Sequence, residues 1–406
     1  MSGNEDDGIS KTKPTDPPHA IRTSTTTTTG NLPPSKKKPR KAKDKTGTPP
    51  SRAYLRAEAV WWRHLQCIGM GLHWLAPPRP PNTDFTRSIP STIAQAPGEF
   101  LLHFYVPAGY QSSRASSSTS VVSDKSDNSK RWPVVVNFHG GGFTLGKATD
   151  DARFARFVME QSEAVLVSVD YRLAPEHPFP TAVDDGVDAL LYLINHADEL
   201  HIDPNRLATS GFSAGGNIAL TAPMRLASLK QPVPKHKVVA VATWYPITDY
   251  TLSREERRAD SVRPDATIPP ALTNLFDASY LFPPELDLAD PYLSPNKATD
   301  EQLRDGIPEN VFFFTCEWDM LLREGEFLAR RLQQPPVSKR IFYTMVRGVP
   351  HGWDKSPNPL KPPHKSEKFY RECCNRLNKV FRGDDPRSVF ERPRRVPPPP
   401  SPPPKK

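Results

Sequence analysis

A mostly parallel α/β sheet flanked by helices is the fold class this chain predicts, on three observations. Uninterrupted apolar runs such as Ala164-Val-Leu-Val-Ser-Val169 have the length and composition of strands buried on both faces. Such runs alternate with segments whose apolar residues return every three or four positions, the order of a parallel sheet covered by helices. A serine framed by glycines, Gly211-Phe212-Ser213-Ala214-Gly215-Gly216, stands where a strand passes directly into a helix. No internal repeat interrupts this order.

The first element is a helix over Tyr54 to Leu75. Trp61, Leu65, Ile68 and Leu72 recur on one side of it, with Arg56 and Arg63 elsewhere on the wheel. Arg63, His64 and His73 interrupt the stretch, so no bilayer-spanning apolar run is available. It reads as a helix packed on the body or over the mouth of a site; a helix lying on a membrane surface, with Trp61 and Trp62 at the interface, shares the pattern. Pro77-Pro78-Arg79-Pro80-Pro81 ends it. Strands follow over Phe100 to Val106 and Pro133 to Phe138, joined by a Ser-rich loop within residues 110–131. A helix over Ala152 to Gln161 precedes the strand Ala164 to Val169. Ala182 to Leu200 is helical in period, with Val183, Val187, Leu190, Leu191 and Ile194 on one stripe. The short strand Arg206 to Ser210 leads into Gly211, and the helix after Ser213 contains Pro223, which should kink it. Strands over Val238 to Trp244 and Val311 to Thr315, a helix over Glu324 to Gln333, and a strand over Ile341 to Met345 complete the order.

Charge and proline divide the chain into three parts. Residues 1–50 hold ten Lys/Arg against five Asp/Glu, and residues 383–406 hold six against three, so nearly all of the net +9 belongs to the two ends. Residues 51–382 are close to neutral, which argues against a nucleic-acid-binding face. Both ends are too poor in apolar residues to offset the cost of ordering: residues 1–50 read as a basic Thr/Lys/Pro-rich disordered tail, residues 383–406 as a Pro-rich one. The basic run Lys36 to Lys43 reads as part of that solvated tail; a nuclear address or an anionic-membrane patch has the same composition. The body, residues 51–382, begins with the helical region of residues 51–80. Cys67, Cys316, Cys373 and Cys374 show no framework or zinc spacing, and the acidic polar start is not that of a signal peptide. An intracellular, cytoplasmic setting is expected, with peripheral membrane contact through the Trp61–Leu72 helix as the alternative.

The chemistry lies in two glycine strings. His139-Gly140-Gly141-Gly142 presents backbone N–H groups with no side chains in the way, and Gly-x-Ser-x-Gly presents a serine on a tight turn. A nucleophile and a cradle for an oxyanion are the two halves of acyl transfer. Serine needs a base, and the base needs an acid to fix its tautomer. In α/β-hydrolases both follow later in the chain, acid first. His351, in Val349-Pro350-His351-Gly352-Trp353, follows the last strand closely, whereas His364 stands in a Pro/Lys-rich stretch. Glu317 and Asp319 both follow Val311 to Thr315; Asp319 lies further out on the loop and is the candidate acid, with a helix N-cap as its structural alternative. Ala214, Gly141 and Gly142 are the candidate oxyanion donors.

These residues together resemble the hormone-sensitive-lipase-like esterases of the α/β-hydrolase superfamily, over roughly residues 90–380. His139-Gly-Gly-Gly-Phe143 resembles their oxyanion motif. Asp170-Tyr-Arg-Leu-Ala-Pro-Glu-His-Pro-Phe-Pro180, with Asp184-Asp185, matches a long signature of the group. The resemblance implies Ser213 as nucleophile, Asp319 in Glu317-Trp-Asp-Met-Leu321 as acid, and His351 as base. It also implies an α/β-hydrolase fold with a helical cap partly formed by the N-terminal segment. His139 is expected to orient the glycine loop, and Arg172 with Glu176 to pin the neighbouring turn. Two residues depart from the group: Phe212 stands where aspartate is usual, and Arg323 where an acid is common. The expected function is a serine hydrolase of carboxylic esters, acting on a small-molecule ester with no metal or cofactor. An amide or acetyl-ester deacetylase uses the same residues, and a non-catalytic small-molecule receptor is a third use of the scaffold.

Overall fold

Strand β1 (Phe85–Pro90) forms a hairpin with β2 (Glu99–Tyr105), which crosses the sheet edge antiparallel to β4 (Val165–Asp170). From there every pairing is parallel: β4 with β3 (Trp132–Phe138), β3 with β5 (Ile202–Phe212), then β6 (Val238–Trp244), β7 (Asn310–Cys316) and β8 (Arg340–Val346). The eight-stranded order is β1-β2-β4-β3-β5-β6-β7-β8. The computed structural model describes residues 50–110, 131–363 and 365–388, all within one of the two units of the chain. The expected tails, except for their inner ends, the Ser-rich loop and His364 lie outside the described residues.

Every residue of β3 and of β7 is buried, as their continuous apolar sequences require of strands covered on both faces. One core fills the side bearing α3 (Thr181–Asn195), α4 (Ala214–Ala227) and α8 (Leu322–Gln333), and joins Val136, Val187, Ile218, Phe313 and Leu328. The other lies under α2 (Ala152–Phe157) and α9 (Ser366–Arg382), and joins Phe154, Phe212, Trp244, Phe312 and Leu377. Cys373 and Cys374 belong to this second core and act there as small apolar side chains. Three shorter helices, α5 (Arg254–Ala259), α6 (Pro270–Tyr280) and α7 (Asp300–Gly306), cross between β6 and β7.

The helix expected at the N-terminal side is α1 (Arg52–Leu75), started by the Ser51 hydroxyl, which accepts the Tyr54 N–H. Its orientation differs from the pattern-based expectation. Trp61, Leu65, Ile68 and Leu72 face solvent, with Ile68 63% exposed, while Leu55, Ala59 and His73 are buried. The inward contacts are largely polar. Arg63 donates to the Thr144 and Ala174 carbonyls and pairs with Glu176, and Gln66 donates to Asp150. Apolar periodicity marks the packed face only where packing is apolar, and α1 is held by hydrogen bonds instead.

The parallel strands place their carboxyl ends on one edge. Chain order turns back between β3 and β5, the crevice where open α/β sheets bind their ligands.

Candidate active site

The crevice is built by the two glycine strings. Ser213 sits between β5 and α4 at φ 55° and ψ −114°, a strained conformation for a residue with a Cβ. Its N–H donates to the Trp244 carbonyl at 2.8 Å, and its carbonyl accepts the Asn217 N–H at 3.1 Å, so the turn is fixed on both sides. A Cβ on Gly215 would stand 2.0 Å from the Phe138 carbonyl oxygen, so only glycine lets α4 begin so close to β3. The glycine run after β3 comes to the same place. Gly142 has φ +60°, and a Cβ there would enter the Phe276 ring of α6. Among the described residues no protein acceptor takes the N–H of Gly141, Gly142 or Ala214. His139 does not enter the crevice: its ring stacks on Tyr171 at 4.3 Å, and its Nδ1 donates to the Gly140 carbonyl. That contact agrees with a loop-orienting role.

His351 lies on the loop after β8, between Pro350 and Gly352. Its Nε2 is 2.8 Å from Ser213 Oγ, and its Nδ1 donates to Asp319 Oδ2 at 2.6 Å. Asp319 is nearly inaccessible, and its other oxygen accepts the Leu321 N–H at 3.0 Å. The capping alternative does not hold: the helix Leu322–Gln333 is capped at Leu321 with no side-chain acceptor, and Asp319 closes only the turn that precedes it. Glu317 points elsewhere and accepts the Gly348 N–H at 2.7 Å, tying the β7 loop to the β8 loop. With Trp318 N–H donating to the Val349 carbonyl, it holds the histidine loop without facing the ring.

A cavity of about 440 Å³ opens on Ser213 and His351. Met70 of α1, with Ile268, Leu272 and Phe276 of the α6 region, forms apolar wall; Asp150 and Gln66 stand at a polar part of the lining. Burial pushes the Asp150 carboxyl up to about 6.

Arg172 corrects one expectation. It makes a buried pair with Asp185 at 2.7 Å and donates to the Ala96 carbonyl and Ser91 Oγ, while Glu176 pairs with Arg63 of α1 instead. The signature stretch therefore holds two contacts rather than one: Arg172 fastens the β1–β2 hairpin region, and Glu176 fastens α1. Sequence reading also passed over a charged cluster beside the nucleophile, at the lining of the cavity. Lys355 pairs with Asp151 at 2.7 Å and Asp354 at 3.3 Å, with its ammonium 3.8 Å from the centre of the Phe212 ring. Asp354 accepts the hydroxyls of Tyr245 and Tyr370. The signal available was a charged pair, Asp354-Lys355, directly after a histidine loop otherwise made of proline, glycine and tryptophan. Arg323 is exposed and pairs loosely with Glu326, away from the crevice.

A family model described as alpha/beta hydrolase fold matches residues 135–355, more than half of the chain. The chain belongs to the alpha/beta hydrolase fold family. Within this family its motifs are those of the hormone-sensitive-lipase-like group. It is 38% identical over 221 residues to the carboxylesterase NlhH of Mycobacterium tuberculosis, covering 53% of this chain and 66% of that protein. It is 34% identical over 220 residues to an AB hydrolase superfamily protein of Schizosaccharomyces pombe, covering 54% of this chain and 63% of the relative. The matched region thus spans a little under two thirds of these relatives. Among solved structures, an esterase of Pyrobaculum calidifontis superposes with a TM-score of 0.62 at 25% identity, covering 81% of this alpha/beta hydrolase and 97% of that chain.

Proposed function

We propose that this alpha/beta hydrolase cleaves small-molecule carboxylic esters through an acyl-enzyme on Ser213. The observation that carries the reading is the unbroken line from Asp319 through His351 to Ser213, with bonds of 2.6 and 2.8 Å. Ser213 Oγ attacks the ester carbonyl carbon as its proton passes to His351 Nε2. Asp319 holds the Nδ1–H and stabilises the imidazolium. The N–H groups of Gly141, Gly142 and Ala214 receive the oxyanion, each such donor being worth about 3–4 kcal/mol. The C–O bond to the alcohol breaks as the imidazolium returns the proton to that oxygen. Water then repeats the sequence, releases the acid and restores Ser213. Carboxylesterase and esterase relatives support the ester reading.

Replacing Ser213 by Ala is expected to lower turnover of p-nitrophenyl acetate by about 10⁴-fold or more, with circular dichroism and melting unchanged. Turnover within tenfold of the parent protein would overturn the assignment.

The same reading places the enzyme at the surface of anionic membranes, attached through the outer face of α1. Support comes from the exposed Trp61, Leu65, Ile68 and Leu72, and from the basic run Lys36 to Lys43 a short distance upstream in sequence. No helix among the described residues is long and apolar enough to cross a membrane. The four cysteines are free thiols, three of them buried, which supports a reducing, cytoplasmic compartment.

A further inference from the structure

Phe212 stands beside the nucleophile where the group usually carries aspartate, and its ring is the seat of a largely covered cation at the lining of the cavity. The Lys355 ammonium lies over that ring at 3.8 Å, with Asp151 at 2.7 Å and Asp354 at 3.3 Å. Both carboxylates are almost wholly inaccessible. Burial pulls the ammonium down, but Asp151 and Asp354 together outweigh it and hold its pKa above the ordinary lysine value. The group is therefore a fixed cation across neutral pH.

Each partner leads to a different part of the candidate active site. Asp354 accepts the Tyr245 hydroxyl, and the Tyr245 ring meets the His351 imidazole edge-on at 4.8 Å. Asp151 accepts the Asn137 amide at 2.8 Å, and Asn137 lies just before His139-Gly140-Gly141-Gly142 while accepting the Ser210 hydroxyl at 2.7 Å. Phe212 is the residue before Ser213. The groups around the ammonium come from four segments: Asp151, Phe212, the Asp354 loop, and Tyr370 of α9. An aspartate in place of Phe212 would set three carboxylates against one ammonium, whereas the ring offers a negative face and adds no charge.

We propose that Lys355 is a positioning residue for the reaction: seated on Phe212 and paired with Asp151 and Asp354, it keeps the histidine loop, the nucleophile turn and the glycine loop in one register. Lys355 lines the same cavity as Ser213 and His351, but its ammonium is engaged by Asp151, Asp354, Tyr370 and the Phe212 ring rather than by Ser213 Oγ. It acts through Phe212 and Tyr245, so its loss misplaces the reacting groups, where an error of about 1 Å can cost 10²-fold. This proposal rests on Ser213 being the nucleophile.

The test uses the full chain, with Lys355→Met and Phe212→Leu as variants. Competent sites are counted by running fluorophosphonate labelling to completion, and kcat and KM for p-nitrophenyl acetate are expressed per labelled site. A merely structural role reduces the number of competent sites and leaves kcat per site unchanged. The expected result for Lys355→Met is a fall of tenfold or more in kcat per site with KM within threefold; a smaller fall overturns the proposal. If Lys355→Met yields no folded protein, Phe212→Leu decides, because it keeps both ion pairs and takes away the ring under the ammonium; the packing of that ring on Trp244 and Phe154 is lost with it, and expressing rates per labelled site corrects for any loss of folded protein. A fall of threefold or more per site at unchanged KM supports the proposal, and a smaller one overturns it. Parent protein that takes no label would be a different result, overturning the Ser213 reading and this proposal with it.

Discussion

Two acids stand two residues apart at the β7 end, Glu317 and Asp319, and their surroundings separate them. Only Asp319 faces the imidazole, and it is shielded from water on all sides; Glu317 ties two loops together at the surface. Asp319→Asn is expected to lower kcat by about 10³- to 10⁴-fold, because an amide cannot hold the same tautomer or stabilise imidazolium. Glu317→Gln keeps the oxygen that accepts the Gly348 N–H and should stay within about threefold of the parent, surface contacts of this kind contributing little. Steady-state rates of the two variants on p-nitrophenyl acetate check the assignment, and equal losses would refute it. Ser213 and His351 were legible because each sits in a short string whose glycines or prolines serve that residue, and Asp319 because it follows the strand Val311 to Thr315 and lies further out on its loop than Glu317. Lys355 was not, because its partners at 151, 212 and 354 are brought together only by the folded sheet.

At the scale of elements, α1 is seated by a histidine that must stay neutral. His73 Nε2 accepts the Arg153 guanidinium at 3.1 Å, which leaves Nδ1 to donate to the Ser356 carbonyl. Burial, aided by the nearby Lys355 and Arg153 charges, lowers its pKa from 6.5 to about 4. Between those values the unfolded chain binds the extra proton, so stability contributed by the neutral ring is full above about pH 6.5 and is lost as pH falls toward 4. The span corresponds to about 3 kcal/mol. Asp150 and Asp184, both raised to about 6 chiefly by burial, work in the opposite sense, since what they cost at neutral pH is returned as pH falls through 6 toward 3.8. Comparing the parent with His73→Gln separates the two effects. Urea unfolding at pH 7 and pH 4.5 should show the parent losing about 2 kcal/mol more than the variant on acidification; equal losses would exclude His73 as the titrating group. Patterning found α1, most of the strands and the helices of the parallel region. It missed β1, a short edge strand with alternating exposure, and α9, whose apolar positions include paired cysteines and are separated by many charges. Helices α5 and α7 were missed although Ser253 with Glu256 and Thr299 with Gln302 form capping boxes, a signal independent of hydrophobicity. The outward stripe of α1 shows the reverse error, a clear apolar face that does not pack inward.

For the whole molecule, the N-terminal end of the chain brings basic charge and an exposed apolar face close together in sequence. The basic run precedes α1 in sequence, and the outer face of α1 carries Trp61 and Ile68 at 56% and 63% exposure. Each basic residue near an anionic surface contributes about 1 kcal/mol, and each inserted apolar side chain adds to it. The full chain is therefore expected to float with vesicles of phosphatidylcholine containing phosphatidylserine, and to float less as salt is raised. Trp61→Glu with Ile68→Glu should lower the bound fraction about fivefold or more while leaving hydrolysis of a soluble short ester intact. Equal flotation of parent and variant would refute attachment through this face. The other face of the same helix, through Gln66 and Met70, lines the cavity, yet α1 gives nothing to the line of Asp319, His351 and Ser213. On the proposed function, reaction and selection would be divided between separate pieces of chain. In the proposed reaction the carboxyl ends of the parallel strands act as a chassis that fixes how a bond is broken, while α1 walls the entrance: exchanging Gln66 and Met70 is expected to change which molecules enter and to leave the line of Asp319, His351 and Ser213 in place.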